Sequence, residues 1–277
     1  MNATEAAGGG QRSRVPVLLL AVVGTLLLMF FAFRVNWFGA TLDDAELVVA
    51  LRTQDSAQAV QHGTEQLVSR FARRDAAALR GDFAEALGAL KQHPQWEVRR
   101  AAAWAMGHDP SGRNRSALQD MLRDEDRGVR INAAVALANY NDAAGLSELR
   151  DALVPFAVSA PVAGKFSTRA KVQEAVSLGR DLGSVTTADG SAPVRVAMNG
   201  WVQRMHQADG ATVAAGAVLA EIAPDAPTLL NVLLALQLVG TRAEVALIDA
   251  LRETSPAGKQ PEVAAQTERT LEALRRR

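Results

Sequence analysis

The chain has 277 residues, of which 48% are hydrophobic and 22% are charged, and these values are ordinary for one or two globular domains. Its 30 basic and 30 acidic side chains cancel, so no overall field draws the protein to nucleic acid, and we expect no nucleic-acid partner. The sequence has no cysteine, which excludes disulfides, thiolate nucleophiles, iron–sulfur clusters and zinc sites with sulfur ligands.

An uncharged run of 19 residues extends from Val15 to Phe33. As a helix it would be about 28 Å long at about 1.5 Å per residue, which matches the hydrocarbon core of a membrane. A secretory signal peptide is the alternative, but its apolar region is shorter, about 7–15 residues, and ends at a small-residue cleavage site. The run therefore predicts an uncleaved transmembrane helix over residues 15–34.

Charges that flank this run predict its orientation. Arg12 and Arg14 precede it, whereas acidic residues soon follow Arg34. Since basic residues favour the cytoplasmic side, we expect residues 1–14 to be cytoplasmic and residues 35–277 to be extracytoplasmic. This would be a single-pass protein of a bacterial inner membrane, with its bulk in the periplasm.

Helical periodicity dominates the next segment, and one motif occurs twice within it. The two V-R-x-x-A-A runs begin at Val98-Arg99 and at Val129-Arg130, 31 residues apart. Each run continues into an apolar helix face and then a polar loop. The repeating unit is therefore a helix–turn–helix, and such units stack because one pair cannot bury its apolar face alone.

These residues resemble short HEAT-like repeats, which implies an α-solenoid of stacked helix pairs. In that family the motif opens the second helix of a unit, and its arginine commonly pairs with an acid in the preceding turn. Asp126 occupies that position before Arg130, whereas Gln95 stands there before Arg99. The resemblance therefore implies an Asp126–Arg130 ion pair.

Strand-like alternation with Gly and Pro replaces the helical pattern over residues 156–225. The stretch repeats itself, with Gly164 matching Gly200 and Val176 matching Val213. The two halves meet at a hairpin-turn signal, Ala188-Asp189-Gly190. These features resemble the biotinyl/lipoyl fold and the β-module of periplasmic adaptor (membrane-fusion) proteins, which implies a small all-β barrel-sandwich.

Carrier domains of that fold bear their cofactor on a lysine at the tip of the central hairpin. Here Asp189 occupies the expected attachment-lysine position. The resemblance therefore implies a module without an attached cofactor.

Helical character resumes after the β-rich stretch, so we expect the β-module to be inserted into the solenoid. The predicted fold class is mainly α, with a transmembrane helix, a HEAT-like α-solenoid and an inserted all-β module. The predicted domains are a cytoplasmic tail (1–14), a transmembrane anchor (15–34), HEAT-like repeats (35–155), the biotinyl/lipoyl-like β-module (156–225) and resumed HEAT-like helices (226–277).

Residue patterns of known catalytic sites are missing from the sequence. No nucleophile elbow, phosphate-binding glycine loop or dinucleotide fingerprint is present, and the four histidines are widely separated. The acidic run Asp124-Glu125-Asp126 lacks the spaced ligands and the glycine of a calcium loop. We therefore expect no enzymatic activity, no cofactor and no metal.

The predicted function is a membrane-anchored, periplasm-facing scaffold or adaptor that binds protein partners, accessory to an envelope export or efflux assembly. Trp201 and Arg204, neighbours on one predicted strand, are the candidate partner contacts. Two alternatives are a carrier subunit with lipoyl or biotin and an enzyme with an unfamiliar site. The missing tip lysine argues against the first, and the lack of a titratable cluster argues against the second.

Overall fold

A computed structural model describes residues 41–53 and 55–277, apart from the side chain of Arg252. The chain divides into two units, Met1–Asp43 and Asp44–Arg277. The second unit contains every helix and strand of the described residues.

The helices of the second unit form five successive pairs, and the two members of each pair lie in different layers. The first layer contains the first helix of each pair, and its helices are α1 (Asp44–Arg52), α3 (Gly81–Ala89), α5 (Arg115–Met121), α7 (Leu146–Asp151) and the consecutive α9 (Val245–Asp249) and α10 (Leu251–Thr254). The second layer contains α2 (Ala57–Ala72), α4 (Trp96–Met106), α6 (Arg127–Asn139), α8 (Ala226–Val239) and α11 (Pro261–Arg275). Helices of the second layer pack in sequence, α2 on α4, α4 on α6, α6 on α8 and α8 on α11.

A β-module separates the two helices of the fourth pair. Its strands are β1 (Phe156–Ser159), β2 (Gly164–Thr168), β3 (Ala175–Val176), β4 (Asp181–Thr187), β5 (Gly190–Arg195), β6 (Gly200–Met205), β7 (Thr212–Val213) and β8 (Val218–Pro224). The chain leaves α7 into β1 and returns from β8 into α8. Because α8 still packs on α6, the second layer continues across the insertion.

Aspartates begin the two second-layer helices that meet across the insertion. The Asp126 carboxylate accepts the backbone N–H of Val129 at 2.9 Å, and the Asp225 carboxylate accepts that of Thr228 at 3.0 Å. These bonds satisfy otherwise unpaired N–H groups in the first turns of α6 and α8. The two helices therefore start in the same way, although 70 residues of β-module lie before the second.

Strands of the β-module form two four-stranded sheets, with the orders β1-β8-β6-β3 and β5-β4-β2-β7. The two orders are equivalent: if β1 is exchanged with β5, β2 with β6, β3 with β7 and β4 with β8, the first order becomes the second. Matching glycines allow close strand contact at equivalent points, since a Cβ on Gly164 would lie 2.3 Å from the carbonyl oxygen of Thr186 and one on Gly200 would lie 2.2 Å from that of Ala223. Each sheet therefore contains two strands from each half of the β-module, and corresponding strands of the two halves lie in different sheets.

The predicted fold class needs correction in its β part. A closed barrel-sandwich was expected, whereas the strands form two small open sheets. Their interior is continuous with the helical core, because Phe166 and Val202 belong to the same buried cluster as Leu229 and Leu233 of α8. The β-module is thus packed into the helical unit.

The predicted membrane topology is also corrected. Between residues 41 and 277, where the structure describes the chain, no helix has both the length and the apolar character needed to cross a bilayer. The expected span, residues 15–34, and the expected cytoplasmic tail lie outside the described residues. The transmembrane element is removed from the fold class, and with it the inner-membrane and periplasmic location that depended on it.

A candidate protein-binding groove

The outer face of α4 presents Arg100 and Trp104 one helical turn apart, and His108 follows two residues beyond the end of the helix. Trp104 is 41% exposed. Its ring lies 4.9 Å from that of His108, whose Nδ1 donates to the Trp104 carbonyl oxygen at 2.8 Å. The indole is therefore held at the surface, where an exposed aromatic side chain is available to a partner.

Helix α6 forms the floor beside this face. Its lining side chains alternate between apolar groups and carboxamides, with Asn132 and Asn139 two turns apart. The Asn132 Nδ2 donates to the Arg100 carbonyl oxygen and the Asn139 Nδ2 to that of Gly107, both at 3.2 Å. Each carboxamide is thus fixed to α4 by its nitrogen, and its oxygen remains available as an acceptor.

Helices α4 and α6 pack closely beside this floor. A Cβ on Gly107 would lie 2.7 Å from the Cβ of Ala136, closer than two carbon atoms can approach. Glycine at the end of α4 therefore lets the helix ends approach and keeps the floor shallow.

Helix α8 forms the opposite wall with Asn231, Leu234 and Ala235. Leu234 is 49% exposed, and Leu238, one turn further along the same face, is 44% exposed. Apolar side chains this exposed on neighbouring turns are typical of an interaction surface.

The β-module closes one end of the groove with Met198 and Asn199, from the loop between β5 and β6. The Asn199 Oδ1 accepts the N–H of Leu178 at 2.8 Å, which fixes this loop. The enclosed space is about 290 Å³. The groove is consequently a composite of three helices and the insertion.

Charge in the groove comes from Arg100 and Asp225. The Asp225 carboxylate caps α8, and that of nearby Asp126 caps α6. Within residues 41–277, Arg100 forms no ion pair. A half-buried guanidinium without a carboxylate partner is available to an incoming anion.

The groove is lined by apolar, aromatic and amide side chains, a composition that is typical of ligand-binding sites. In the described part of the chain no three His, Asp or Glu side chains are grouped as metal ligands would be. The arrangement is therefore suited to recognition of a polypeptide.

The repeat motif holds the stack that carries the groove. Val98 and Val129 are buried, at 1% and 0% exposure. The Arg99 guanidinium binds both carboxylate oxygens of Asp124, in the next unit, at 2.7 and 2.9 Å. Its Nη1 also donates to the carbonyl oxygens of His93 and Pro94, in the turn before its own helix.

Arg130 repeats this pattern one unit later. Its Nη1 donates to the carbonyl oxygens of Asp124 and Glu125, 31 residues after those bound by Arg99, and its Nε binds Glu148 at 3.1 Å. The expected Asp126–Arg130 ion pair is therefore wrong, because Asp126 caps α6. Both arginines pair with an acid of the following unit, and the unexpected partner of Arg99 is Asp124.

Burial disfavours ionisation of Asp124, but hydrogen bonds from Arg99 and from the Asp126 N–H outweigh it and hold the pKa of Asp124 below its ordinary value. The acidic run that follows α5 thus serves the stack, with Asp124 and Glu125 facing Arg99 and Asp126 capping a helix.

An ion pair between a half-exposed arginine and a buried glutamate, which sequence reasoning missed, joins the two sides of the insertion. The Arg150 Nε donates to the Glu244 Oε1 at 2.6 Å, and the Glu244 side chain is fully buried. Burial opposes ionisation of Glu244, yet bonds from Thr241 and Arg150 lower its pKa. No spacing rule connects residues 94 positions apart, so the sequence carried no signal for this pair.

The sequence-predicted contact residues lie together, outside the groove. Trp201 is half-buried in β6, paired with Ala175 and Ala223. Arg204, on the same sheet face, is 66% exposed and lies 3.9 Å from Glu221.

Asp189 lies in the two-residue turn between β4 and β5, where its N–H donates to the Thr187 hydroxyl at 3.1 Å. It is exposed at a hairpin tip, as the sequence predicted for this position.

The groove residues, Trp104 among them, were not identified from the sequence. Asn132 and Asn139, seven residues apart in an alanine-rich helix, are the signal that could have identified the floor.

Comparison with known families finds HEAT repeats over residues 83–155, which extend from α3 to the end of α7. The match confirms the HEAT-like repeats expected from the V-R-x-x-A-A motif. No curated protein matches the chain in sequence.

Proposed function

We propose that this protein is a non-catalytic scaffold that binds a polypeptide partner in the groove formed by α4, α6 and α8. HEAT repeats suggest a protein-interaction scaffold, and stacked helix pairs offer extended surfaces of this kind. The observation that carries the proposal is Trp104, an aromatic side chain held at the surface by His108 beside an amide-lined floor.

A second contact surface is proposed at Trp201 and Arg204. Both residues lie on the outer face of the first sheet, together with Glu221 and His206, which are 3.0 Å apart. An exposed arginine next to a half-buried tryptophan is a common composition for an interface anchor. Because the β-module also closes the groove, one partner could contact both surfaces.

Quantitative co-purification of tagged full-length variants tests which surface binds. Trp104→Ala and Leu234→Glu should each reduce the recovered partner at least tenfold, since a buried interface anchor contributes on the order of 2 kcal/mol or more. Val49→Glu, at a 68% exposed position in the first layer, is the matched control and should leave recovery unchanged.

Thermal unfolding of each variant ensures that a loss of partner reflects the surface and not the fold. Undiminished recovery with both groove variants would contradict the groove as the binding element. Loss with Arg204→Ala alone would assign binding to the β-module.

A further inference from the structure

The length of the groove limits what it can hold. Its floor extends along α6 from Gly128 to Asn139, about 16 Å at about 1.5 Å per residue. An extended chain covers that distance with about five residues, at about 3.3 Å each. The enclosed space of about 290 Å³ suits a few side chains, and a second folded helix would need a much wider surface.

Arg100 and Trp104 are one helical turn apart on the wall, about 6 Å along the axis. In an extended chain, residues two positions apart point to the same side and are separated by about 6.6 Å. One side chain of an extended ligand can therefore meet Arg100 while the next on that side lies against Trp104. Leu234 faces the same space from α8, so the second side chain would lie between an indole and a leucine.

Charge selects the side chain that meets Arg100. The carboxylates closest to this end of the groove, Asp126 and Asp225, accept the N–H groups of helix starts. Arg100 has no ion pair among the described residues. A ligand carboxylate can pair with its guanidinium, whereas an ammonium cannot.

The floor offers acceptors for the ligand backbone. Asn132 and Asn139 use their nitrogens to bind α4, so their Oδ1 atoms can accept N–H groups of an extended chain. Backbone recognition of this kind gives affinity, while the side-chain positions give specificity.

We propose that the groove binds an extended, acidic-apolar peptide segment in which a Glu or Asp lies two positions from a large apolar residue. The carboxylate would bind Arg100, and the apolar side chain would lie between Trp104 and Leu234. This inference rests on the proposed function and specifies the partner of the same groove.

Fluorescence anisotropy of labelled hexapeptides with the full-length protein tests the proposal. The probes carry Glu-Ser-Leu or Leu-Ser-Glu at their centre, so that both chain directions are sampled, and the matched peptides replace Glu by Lys. We expect one Glu peptide to bind at least tenfold more tightly than its Lys counterpart. Arg100→Glu should reverse that preference, Arg100→Gln should abolish it, and Arg73→Glu, an exposed control at the end of α2, should leave it unchanged.

Equal affinity for the Glu and Lys peptides, or a preference that survives Arg100→Glu, would overturn the acidic ligand. If neither Glu peptide binds while Trp104→Ala still abolishes partner recovery, the inference is overturned and the groove function stands. If peptides bind equally to the wild type and to Trp104→Ala, both proposals fail. A further readout is the tryptophan emission, which should change on binding in the wild type and not in Trp104→Phe.

Discussion

Helices α6 and α8 occupy successive positions in the second layer, but only α6 carries the V-R-x-x-A-A motif. Both begin after a capping aspartate and place an asparagine at the groove, Asn132 in α6 and Asn231 in α8. The arginine differs, because Leu229 stands in α8 where Arg130 stands in α6.

The turn before each helix explains this difference. Arg130 binds carbonyl oxygens of the short turn between α5 and α6, as Arg99 does one unit earlier. Before α8 that turn is replaced by strand β8, which ends at Pro224 directly before the capping Asp225. The Arg150–Glu244 pair instead joins the first-layer segments on either side. Packing thus continues where the sequence motif stops.

The largest effect is expected when core leucines at equivalent positions of the two helices are replaced by alanine. Leu137 of α6 and Leu236 of α8 are both fully buried. Leu137→Ala and Leu236→Ala should each lower the free energy of unfolding by about 2–5 kcal/mol, because each removes buried methylene groups and leaves a cavity. Urea unfolding measures both. A cost below about 1 kcal/mol for Leu236→Ala alone would show that the divided pair is loosely packed.

A smaller effect is expected from the Arg99–Asp124 ion pair, which joins two successive repeat units that contain no insertion. Asp124→Asn leaves the Arg99 guanidinium, only 8% exposed, without its main anionic partner, and should cost about 2–3 kcal/mol of unfolding free energy. Asp120→Asn is the control, since that carboxylate is exposed and binds Lys91 at the surface. Equal melting temperatures for Asp124→Asn and the wild type would contradict a structural role for this pair.

Acid should destabilise both regions through their buried carboxylates. The folded-state pKa values of Asp124 and Glu244 lie below their ordinary values of 3.8 and 4.5. Their contribution is therefore complete above those ordinary values and is lost as the pH falls through the lower folded-state values. Melting temperatures between pH 6 and pH 3 should decline less steeply for Glu244→Gln than for the wild type. Parallel curves would contradict ionisation-linked stability at the insertion.

The smallest effect concerns the surface of the β-module. Arg204→Ala should change the free energy of unfolding by less than about 0.5 kcal/mol, because the side chain is exposed and its ion pair is long at 3.9 Å. A larger loss would indicate that Arg204 supports the packing of the module and is not available to a partner.

Local patterns predicted the local structure of the helical repeats well. The 31-residue spacing of the motif located corresponding helices, and the valines that open it, Val98 and Val129, are buried. Partners distant in sequence were not predictable, since Arg99 binds an acid 25 residues onward and Arg150 one 94 residues onward. The resemblance to HEAT-like repeats instead implied Asp126 as the ion-pair partner of Arg130. An aspartate directly before a helix is, however, also well placed to cap that helix.

The groove was beyond sequence reasoning for a related reason. Trp104 and Leu234 belong to helices separated by the entire β-module, and apolar residues at helical spacing are ordinarily assigned to a core. Only packing shows that these two side chains remain exposed and face the same space.

Site-specific photocrosslinking would show whether a polypeptide binds to the face formed by α4, α6 and α8. The crosslinking amino acid p-benzoylphenylalanine would replace Trp104 in one full-length variant and Val49, in the first layer, in another. We expect a discrete polypeptide adduct at position 104, which unlabelled partner or the tight-binding Glu peptide competes away, and none at position 49. Equal adducts at both positions, or an adduct at 104 that no competitor reduces, would contradict binding at this face.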